Sequence, residues 1–188
     1  MSMKRSFDII ISTILLIILL PVFLVVAISL FMSGSESIIY YSERIGKNGK
    51  LFMMPKFRTM NSEAPDVASH LISDPEKYYT TSGHFLRKYS LDEMPQLFSV
   101  IKGDMSIVGP RPALHNQLDL IQLRIKKDIH ILQPGITGWA QINGRDNIPL
   151  NKKVDYDYEY FLRRSLFFDC YIIFLTFLKV LRKDSISH

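Results

Sequence analysis

The sequence predicts an α+β protein that is mainly helical, with a re-entrant membrane helix-break-helix followed by a small globular domain of short strands and interfacial amphipathic helices. Three observations predict this class. No charged residue occurs from Ile9 to Ser35, and such a stretch is long enough to enter or cross a bilayer as a helix. Short strand-like runs with glycine and asparagine turns follow it, and helical spacing of apolar residues recurs later. We expect residues 1–35 to form a membrane-anchoring hairpin and residues 36–188 to form a cytoplasmic domain.

The overall charge of the chain is positive. It carries 23 Lys and Arg residues against 18 Asp and Glu residues, a net charge of +5. This excess suits anionic lipid, a phosphorylated substrate or nucleic acid, and its sign does not choose among them. Cys170 is the single cysteine, which excludes an intramolecular disulfide and gives no indication of an oxidising compartment.

Pro21 lies near the middle of the apolar stretch, where a proline removes a helical hydrogen bond and bends the chain. Basic residues flank the stretch on both sides; they are Lys4 and Arg5 before it and Arg44, Lys47 and Lys50 after it. A single spanning helix, the simplest alternative, would place one basic flank outside the cell, against the positive-inside tendency. We therefore expect the chain to turn back at Pro21 in two arms of about 12 residues, roughly 18 Å each.

A β-hairpin is predicted after the membrane element. Residues 38–41 are typical of a strand, and the turn in RIGKNGKLF leads to a second strand through Phe52 and Met53. Lys56 and Arg58 follow at alternate positions, so an extended chain places both on one face, where their charges could hold a diphosphate. A solvated strand face is the alternative. Residues 61–83 carry turn signals and predict loops with at most a short helix.

Two adjacent carboxylates, Asp92 and Glu93, are surrounded by basic residues along the chain. The nearest cations are Arg87 and Lys88 before the pair and Lys102 after it. A short strand over residues 105–108 then leads to Arg111, which lies between two prolines. A guanidinium held on stiff backbone suits phosphate binding. The pattern indicates an acidic centre within reach of phosphate-binding cations.

Pro95 limits where the helix that carries the acidic pair can begin, because proline is tolerated only in the first turn. We expect the helix to begin at Leu91 or Asp92. Its N-terminus would then favour ionised carboxylates, the form needed to attack phosphorus or to bind a hard cation. Ser90 with Glu93 three residues later also fits a capping box, so a purely structural role for the pair is the alternative.

Three further segments complete the chain. Residues 113–128 predict an amphipathic packing helix, and the glycine-containing loops at 133–138 and 144–145 could wrap a nucleotide or simply connect elements. Residues 165–183 are apolar but interrupted by Asp169 and Lys179, so their uncharged run is too short to cross a bilayer. We expect an interfacial helix there, with a buried core helix as the alternative.

The stretches RIGKNGKLFMMPKFRTM, LRKYSLDEMPQL, GDMSIVGPRP and PGITGWAQINGR occur in this order. Together they resemble the bacterial sugar transferases, the small monotopic phosphoglycosyl transferases, over nearly the whole chain. The resemblance implies an enzyme on the cytoplasmic face of the bacterial inner membrane. It would move a sugar 1-phosphate from a UDP-sugar to polyprenyl phosphate through a covalent intermediate on Asp92, and release UMP.

The resemblance also implies roles for individual residues. Asp92 and Glu93 would be the catalytic pair and would hold Mg2+ together with substrate phosphate, with proton transfer from the incoming phosphate as the alternative role of Glu93. The phosphate ligands would be Lys56, Arg58, Arg87, Arg111 and Arg145. Asp155 would be a further polar residue of the site.

The expected partners are a UDP-sugar, polyprenyl phosphate and anionic membrane lipid, without nucleic acid and without an obligate protein partner. Two other functions stay open. A membrane-anchored glycosyltransferase would move the sugar without its phosphate and release UDP. A non-enzymatic basic anchor protein would bind lipid or nucleic acid, and its acidic pair would be dispensable.

Overall fold

The computed structural model describes residues 2–33, 35, 37–61, 63–65, 72, 74–144 and 148–182. Within these ranges the fold is α+β and mainly helical, as predicted. The helices are α1 (Met3–Met32), α2 (Gly83–Lys88), α3 (Gln96–Lys102), α4 (Leu118–Lys126), α5 (Trp139–Ile142), α6 (Leu150–Arg163) and α7 (Leu166–Arg182). The strands are β1 (Ile39–Ile45), β2 (Leu51–Phe57), β3 (Ser106–Val108), β4 (Ala113–Leu114) and β5 (Gly135–Thr137).

Helix α1 is long and apolar, and within the described ranges it is the one helix whose length and composition would allow it to cross a membrane. Ser2 caps it by accepting a hydrogen bond from the backbone N–H of Arg5. The helix runs through Pro21 without interruption, so the structure does not show the predicted division into two arms. A proline removes one hydrogen bond of the helical ladder, and the flanking turns remain helical here. The re-entrant course stays a prediction.

The globular part contacts α1 near both of its ends. At the beginning, the Lys4 ammonium donates a 2.7 Å hydrogen bond to Asp169 of α7. Near the other end, the hydroxyls of Ser29 and Ser82 lie 2.6 Å apart. Val26 and Leu30, which flank Ser29 along the helix, are buried. The helix therefore lies along the globular part and buries one face against it.

The strand pattern predicted part of the two small sheets. β1 and β2 form the predicted antiparallel hairpin, with Ile45 opposite Leu51, and β4 extends it on the other edge of β1. β3 pairs in parallel with β5. The predicted helix over residues 113–128 is wrong at its start, because Ala113 pairs with Ile45 in the sheet and the helix begins at Leu118.

The main core forms where the hairpin, α3, β3, α6 and α7 meet. Its fully or nearly fully buried side chains include Val100, Met105, Val108 and Ile172. Helix α7 contributes Phe168 and Ile172 to this core but exposes several aromatic residues on its other side, namely Phe167, Tyr171, Phe174 and Phe177. It therefore has both a core face, as the alternative interpretation expected, and an exposed apolar face.

Candidate active site

The acidic pair lies in a short 3-10 turn, Leu91–Glu93, and not at the start of a regular helix. Ser90 has a left-handed backbone with φ 53° and makes no capping hydrogen bond, so the predicted capping box does not form. Helical structure thus begins at Leu91, one of the two predicted starts, but as a 3-10 turn, and the regular α-helix begins at Gln96, after Pro95. A left-handed residue changes the chain direction between α2 and the turn, which places both carboxylates inside the protein. Asp92 and Glu93 are 3% and 7% exposed.

Glu93 joins two of the predicted cations. Its Oε1 atom accepts hydrogen bonds from Lys56 Nζ at 2.9 Å and from Arg111 Nη2 at 2.8 Å. Arg111 Nη1 lies 3.4 Å from Oε2. The carboxylate thus fixes the ammonium of β2 and the guanidinium of the proline-flanked loop beside Asp92.

Asp92 is held more loosely than its neighbour. Its Oδ2 atom lies 4.0 Å from Lys56 Nζ. Its Oδ1 atom is buried and has no hydrogen-bond partner among the described residues. Burial raises the pKa of the Asp92 carboxyl, and the positive charge of Lys56 opposes this effect. Burial likewise lowers the pKa of Lys56. An unpaired buried carboxylate oxygen is costly for folding, which points to a chemical use for it.

Of two other predicted cations, Arg87 lies near the acidic pair, whereas the described contacts of Arg58 lie elsewhere. The Arg87 guanidinium is close enough that its charge also opposes the rise in the pKa of Asp92. It lies over the Tyr79 ring at 5.4 Å. Arg58 donates from Nε to the Ser37 hydroxyl at 2.9 Å, so its described contacts lead to the start of the hairpin. The structure therefore brings Lys56, Arg87 and Arg111 to the pair and does not show Arg58 there.

The two remaining predicted residues lie elsewhere or cannot be placed. Arg145 lies outside the described residues. The Asp155 side chain is 65% exposed on α6 and forms a 2.6 Å ion pair with Lys127, so its role at the site stays a prediction.

Sequence reasoning missed a buried ion pair behind Arg111. Asp157 lies one helical half-turn beyond Asp155, is 2% exposed and pairs with Arg124. A signal existed, because Asp157 shares a helix face with Val154 and Tyr160 at spacings of three residues, and both of these are buried.

An apolar cavity of about 360 Å³ opens beside the acidic pair. Its walls include Leu15 and Leu19 of α1 and Val180 of α7. Glu93 and Arg111 also line this cavity. The site therefore combines charged groups that suit phosphate with an apolar space that suits a hydrocarbon chain.

The donor set fits a magnesium ion held mainly by its substrate. Within the described ranges no cluster of three or more His, Cys, Asp or Glu residues could hold a metal ion. Asp92 Oδ1 has a vacant acceptor position, whereas the oxygens of Glu93 already accept from Lys56 and Arg111. Mg2+ commonly binds one or two carboxylates plus phosphate oxygens and water. The predicted joint ligation by both carboxylates would require Glu93 to exchange partners.

A comparison with protein families matches residues 1–183 to the model described as bacterial sugar transferase. The chain is 38% identical over 186 residues to the UDP-glucose:undecaprenyl-phosphate glucose-1-phosphate transferase of Escherichia coli (strain K12), covering 94% of this chain and 40% of that protein. It is 38% identical over 200 residues to the undecaprenyl-phosphate galactose phosphotransferase of Salmonella typhimurium, covering 97% of this chain and 41% of that protein. The uncharacterized sugar transferase EpsL of Bacillus subtilis (strain 168) is 40% identical over 190 residues, with 100% of this chain and 91% of that protein covered. The chain thus spans about two fifths of the first two relatives and most of the third.

Proposed function

Because the chain belongs to the bacterial sugar transferase family, we propose that it transfers a sugar 1-phosphate from a UDP-sugar to polyprenyl phosphate through an intermediate on Asp92. One observation supports this most strongly. The buried Asp92 carboxylate has a vacant oxygen and is next in the chain to Glu93, which binds Lys56 and Arg111 and, with Arg111, lines an apolar cavity. A phosphate that carries a hydrocarbon chain matches both halves of this site.

In the first displacement, a carboxylate oxygen of Asp92 attacks the β-phosphorus of the UDP-sugar. A bond forms between this oxygen and phosphorus, the bond from phosphorus to the bridging oxygen breaks, and UMP leaves with the electron pair. In the second displacement, an oxygen of polyprenyl phosphate attacks the same phosphorus. The Asp92 carboxylate is released, and the product is a polyprenyl diphosphate sugar. This is covalent catalysis in two steps.

The cations stabilise the charge that moves during both displacements. Lys56 and Arg111 would bind the diphosphate oxygens, and Glu93 would hold these two side chains in place between turnovers. Asp92 Oδ1 would contribute the protein's ligand to Mg2+, which neutralises diphosphate charge when bound. Arg58 and Arg145 remain proposed phosphate ligands, and Asp155 remains a proposed further polar residue of the site.

We further propose a monotopic arrangement on the cytoplasmic face of the bacterial inner membrane. Lys4 and Ser29 both contact the globular part, although they lie about 37 Å apart along a regular helix, more than the roughly 30 Å thickness of a bilayer core. A crossing helix would draw the globular part into the bilayer. The exposed apolar faces of α1 and α7 suit an element embedded from one side, at a surface with anionic lipid. The proposed boundary at residue 35 then separates the membrane-anchoring helix from the cytoplasmic domain, whose helix α7 meets the membrane surface.

The experiment is a panel of UDP-sugars offered to the detergent-purified protein with short-chain polyprenyl phosphate and Mg2+. We expect at least one UDP-sugar to yield UMP and a lipid diphosphate sugar. Release of UDP instead would indicate a glycosyltransferase that moves the sugar without its phosphate. Asp92→Asn should abolish turnover while the protein stays folded, and full turnover in that variant would contradict the proposed chemistry.

A further inference from the structure

The ion pair between α4 and α6 is almost completely buried and makes more contacts than helix packing requires. Arg124 donates to Asp157 Oδ2 from Nε at 3.0 Å and from Nη2 at 2.6 Å. The two residues are 8% and 2% exposed. A buried ion pair of this kind often stabilises a protein no better than two apolar side chains of similar volume. Its presence therefore needs a reason other than stability.

The third donor of the guanidinium supplies such a reason. Arg124 Nη1 donates a 2.8 Å hydrogen bond to the backbone carbonyl of Arg111. This carbonyl belongs to the residue whose own guanidinium binds Glu93 at 2.8 Å. Pro110 and Pro112 restrict the backbone on either side of it. Asp157 is thus linked to Glu93 by hydrogen bonds through Arg124 to the Arg111 backbone, and then by the Arg111 side chain itself.

Close packing fixes the other side of the same loop. A Cβ atom added to Gly138 would lie 2.1 Å from the Gly109 carbonyl oxygen, so the two backbones are in direct contact. The loop that carries Arg111 is thereby held between the backbone of the Gly138 turn and the Arg124 guanidinium. Removing either support would loosen the backbone from which the Arg111 side chain reaches Glu93, and so would shift the guanidinium relative to the acidic pair.

We propose that Arg124 and Asp157 are positioning residues, which fix the Arg111 guanidinium in the geometry needed for the phosphoryl transfer proposed above. Asp157 orients the Arg124 fork, and Arg124 holds the backbone of Arg111. Neither residue contacts the acidic pair in the described contacts, so both act through Arg111. This inference rests on the proposed function, because it assigns a role in that reaction.

The first test compares three single variants for kcat/KM of UMP release and for thermal unfolding. Arg124→Lys keeps a cation beside Asp157 but loses the planar fork that bonds two partners together. Asp157→Asn keeps the shape but weakens the orientation of Arg124. A misplacement of this kind should lower kcat/KM by about tenfold to a hundredfold. Lys126→Met is the matched control, because it removes an exposed positive charge from the same helix as Arg124. It should change kcat/KM less than about twofold.

The second test asks whether the pair acts through Arg111. In an Arg111→Lys background, whose fork is already lost, Asp157→Asn should lower kcat/KM by less than about twofold further. A structural role would make the two losses multiply. Multiplying losses, or wild-type kcat/KM in Asp157→Asn, would overturn the proposal.

A double variant separates folding from positioning if the single variants prove unstable. In Arg124→Met with Asp157→Leu, two apolar side chains replace the ion pair, which should preserve the unfolding temperature. We expect kcat/KM to remain at least about tenfold low. Wild-type kcat/KM in this double variant would show that the pair serves packing only. Absence of UMP release from the wild-type protein would instead refute the proposed function itself.

Discussion

We expect Lys56 to set the pH at which the proposed nucleophile becomes active. Its ammonium lies 4.0 Å from Asp92 Oδ2 and 2.9 Å from Glu93 Oε1. Burial raises the pKa of Asp92, and Lys56 is the main group that opposes this rise. Only the ionised carboxylate can attack phosphorus, so activity should increase with pH through the pKa of Asp92. Removing the ammonium, as in Lys56→Met, should move this acidic limb to higher pH.

The separation of the charges gives the size of the effect. Two unit charges about 4 Å apart interact by about 4 kcal/mol at an effective dielectric constant of about 20. Solvent screening and relaxation of the site reduce this energy, and we expect about 2 kcal/mol for the effect on Asp92. Below the pKa of Asp92, the fraction of ionised nucleophile should therefore fall by about 30-fold in Lys56→Met.

The assay is kcat for UMP release at saturating UDP-sugar from about pH 5 to about pH 9. Lys56→Arg keeps the positive charge and should retain the acidic limb of the wild-type protein. Burial lowers the pKa of Lys56, so the wild-type protein should lose activity at alkaline pH, and the guanidinium of Lys56→Arg should not. An unchanged acidic limb in Lys56→Met would refute this account of the electrostatics. Lys50→Met, at the exposed hairpin turn, controls for loss of a positive charge.

Three further predictions concern stability and the metal. Asp92→Asn should raise the unfolding temperature at neutral pH by about 2–4 °C. The pKa of Asp92 is raised, which means that the folded protein disfavours the ionised carboxylate. A lower unfolding temperature in this variant would contradict the prediction. Gly138→Ala should lower the free energy of unfolding by about 1–3 kcal/mol, and so the unfolding temperature by several degrees in the same scan. The added Cβ atom would lie 2.1 Å from the Gly109 carbonyl oxygen. EDTA should abolish UMP release and leave the unfolding temperature unchanged, and added Mg2+ should restore turnover.

The acidic pair and its neighbouring cations could be predicted because these residues lie in short stretches of chain with recognisable local patterns. Asp92 and Glu93 are adjacent, and Arg111 stands between two prolines. The hairpin that carries Lys56 also has a local signal, since Asn48 and Gly49 have the positive φ angles that its turn requires. Local sequence therefore sufficed for these features and for the class of the fold.

The features that sequence reasoning missed depend on tertiary contacts. Ser90 adopts a left-handed conformation, which no residue pattern around it predicts, and the expected capping box fails for that reason. The pairing of Arg124 with Asp157 joins residues 33 positions apart. The sequence presents Lys4 only as one of the basic residues that flank the apolar stretch, whereas in the fold it forms an ion pair with Asp169 of α7. A charged residue does not indicate its partner until the elements are packed.

The most direct test of the central claim is peptide mass spectrometry of the wild-type protein after incubation with UDP-sugar and Mg2+ but without polyprenyl phosphate. We expect the mass of a phosphosugar on the peptide that contains Asp92, its loss when polyprenyl phosphate is added, and its absence in Asp92→Asn. An adduct that persists in Asp92→Asn, or UMP release that requires the lipid acceptor and leaves every peptide unmodified, would contradict the covalent mechanism.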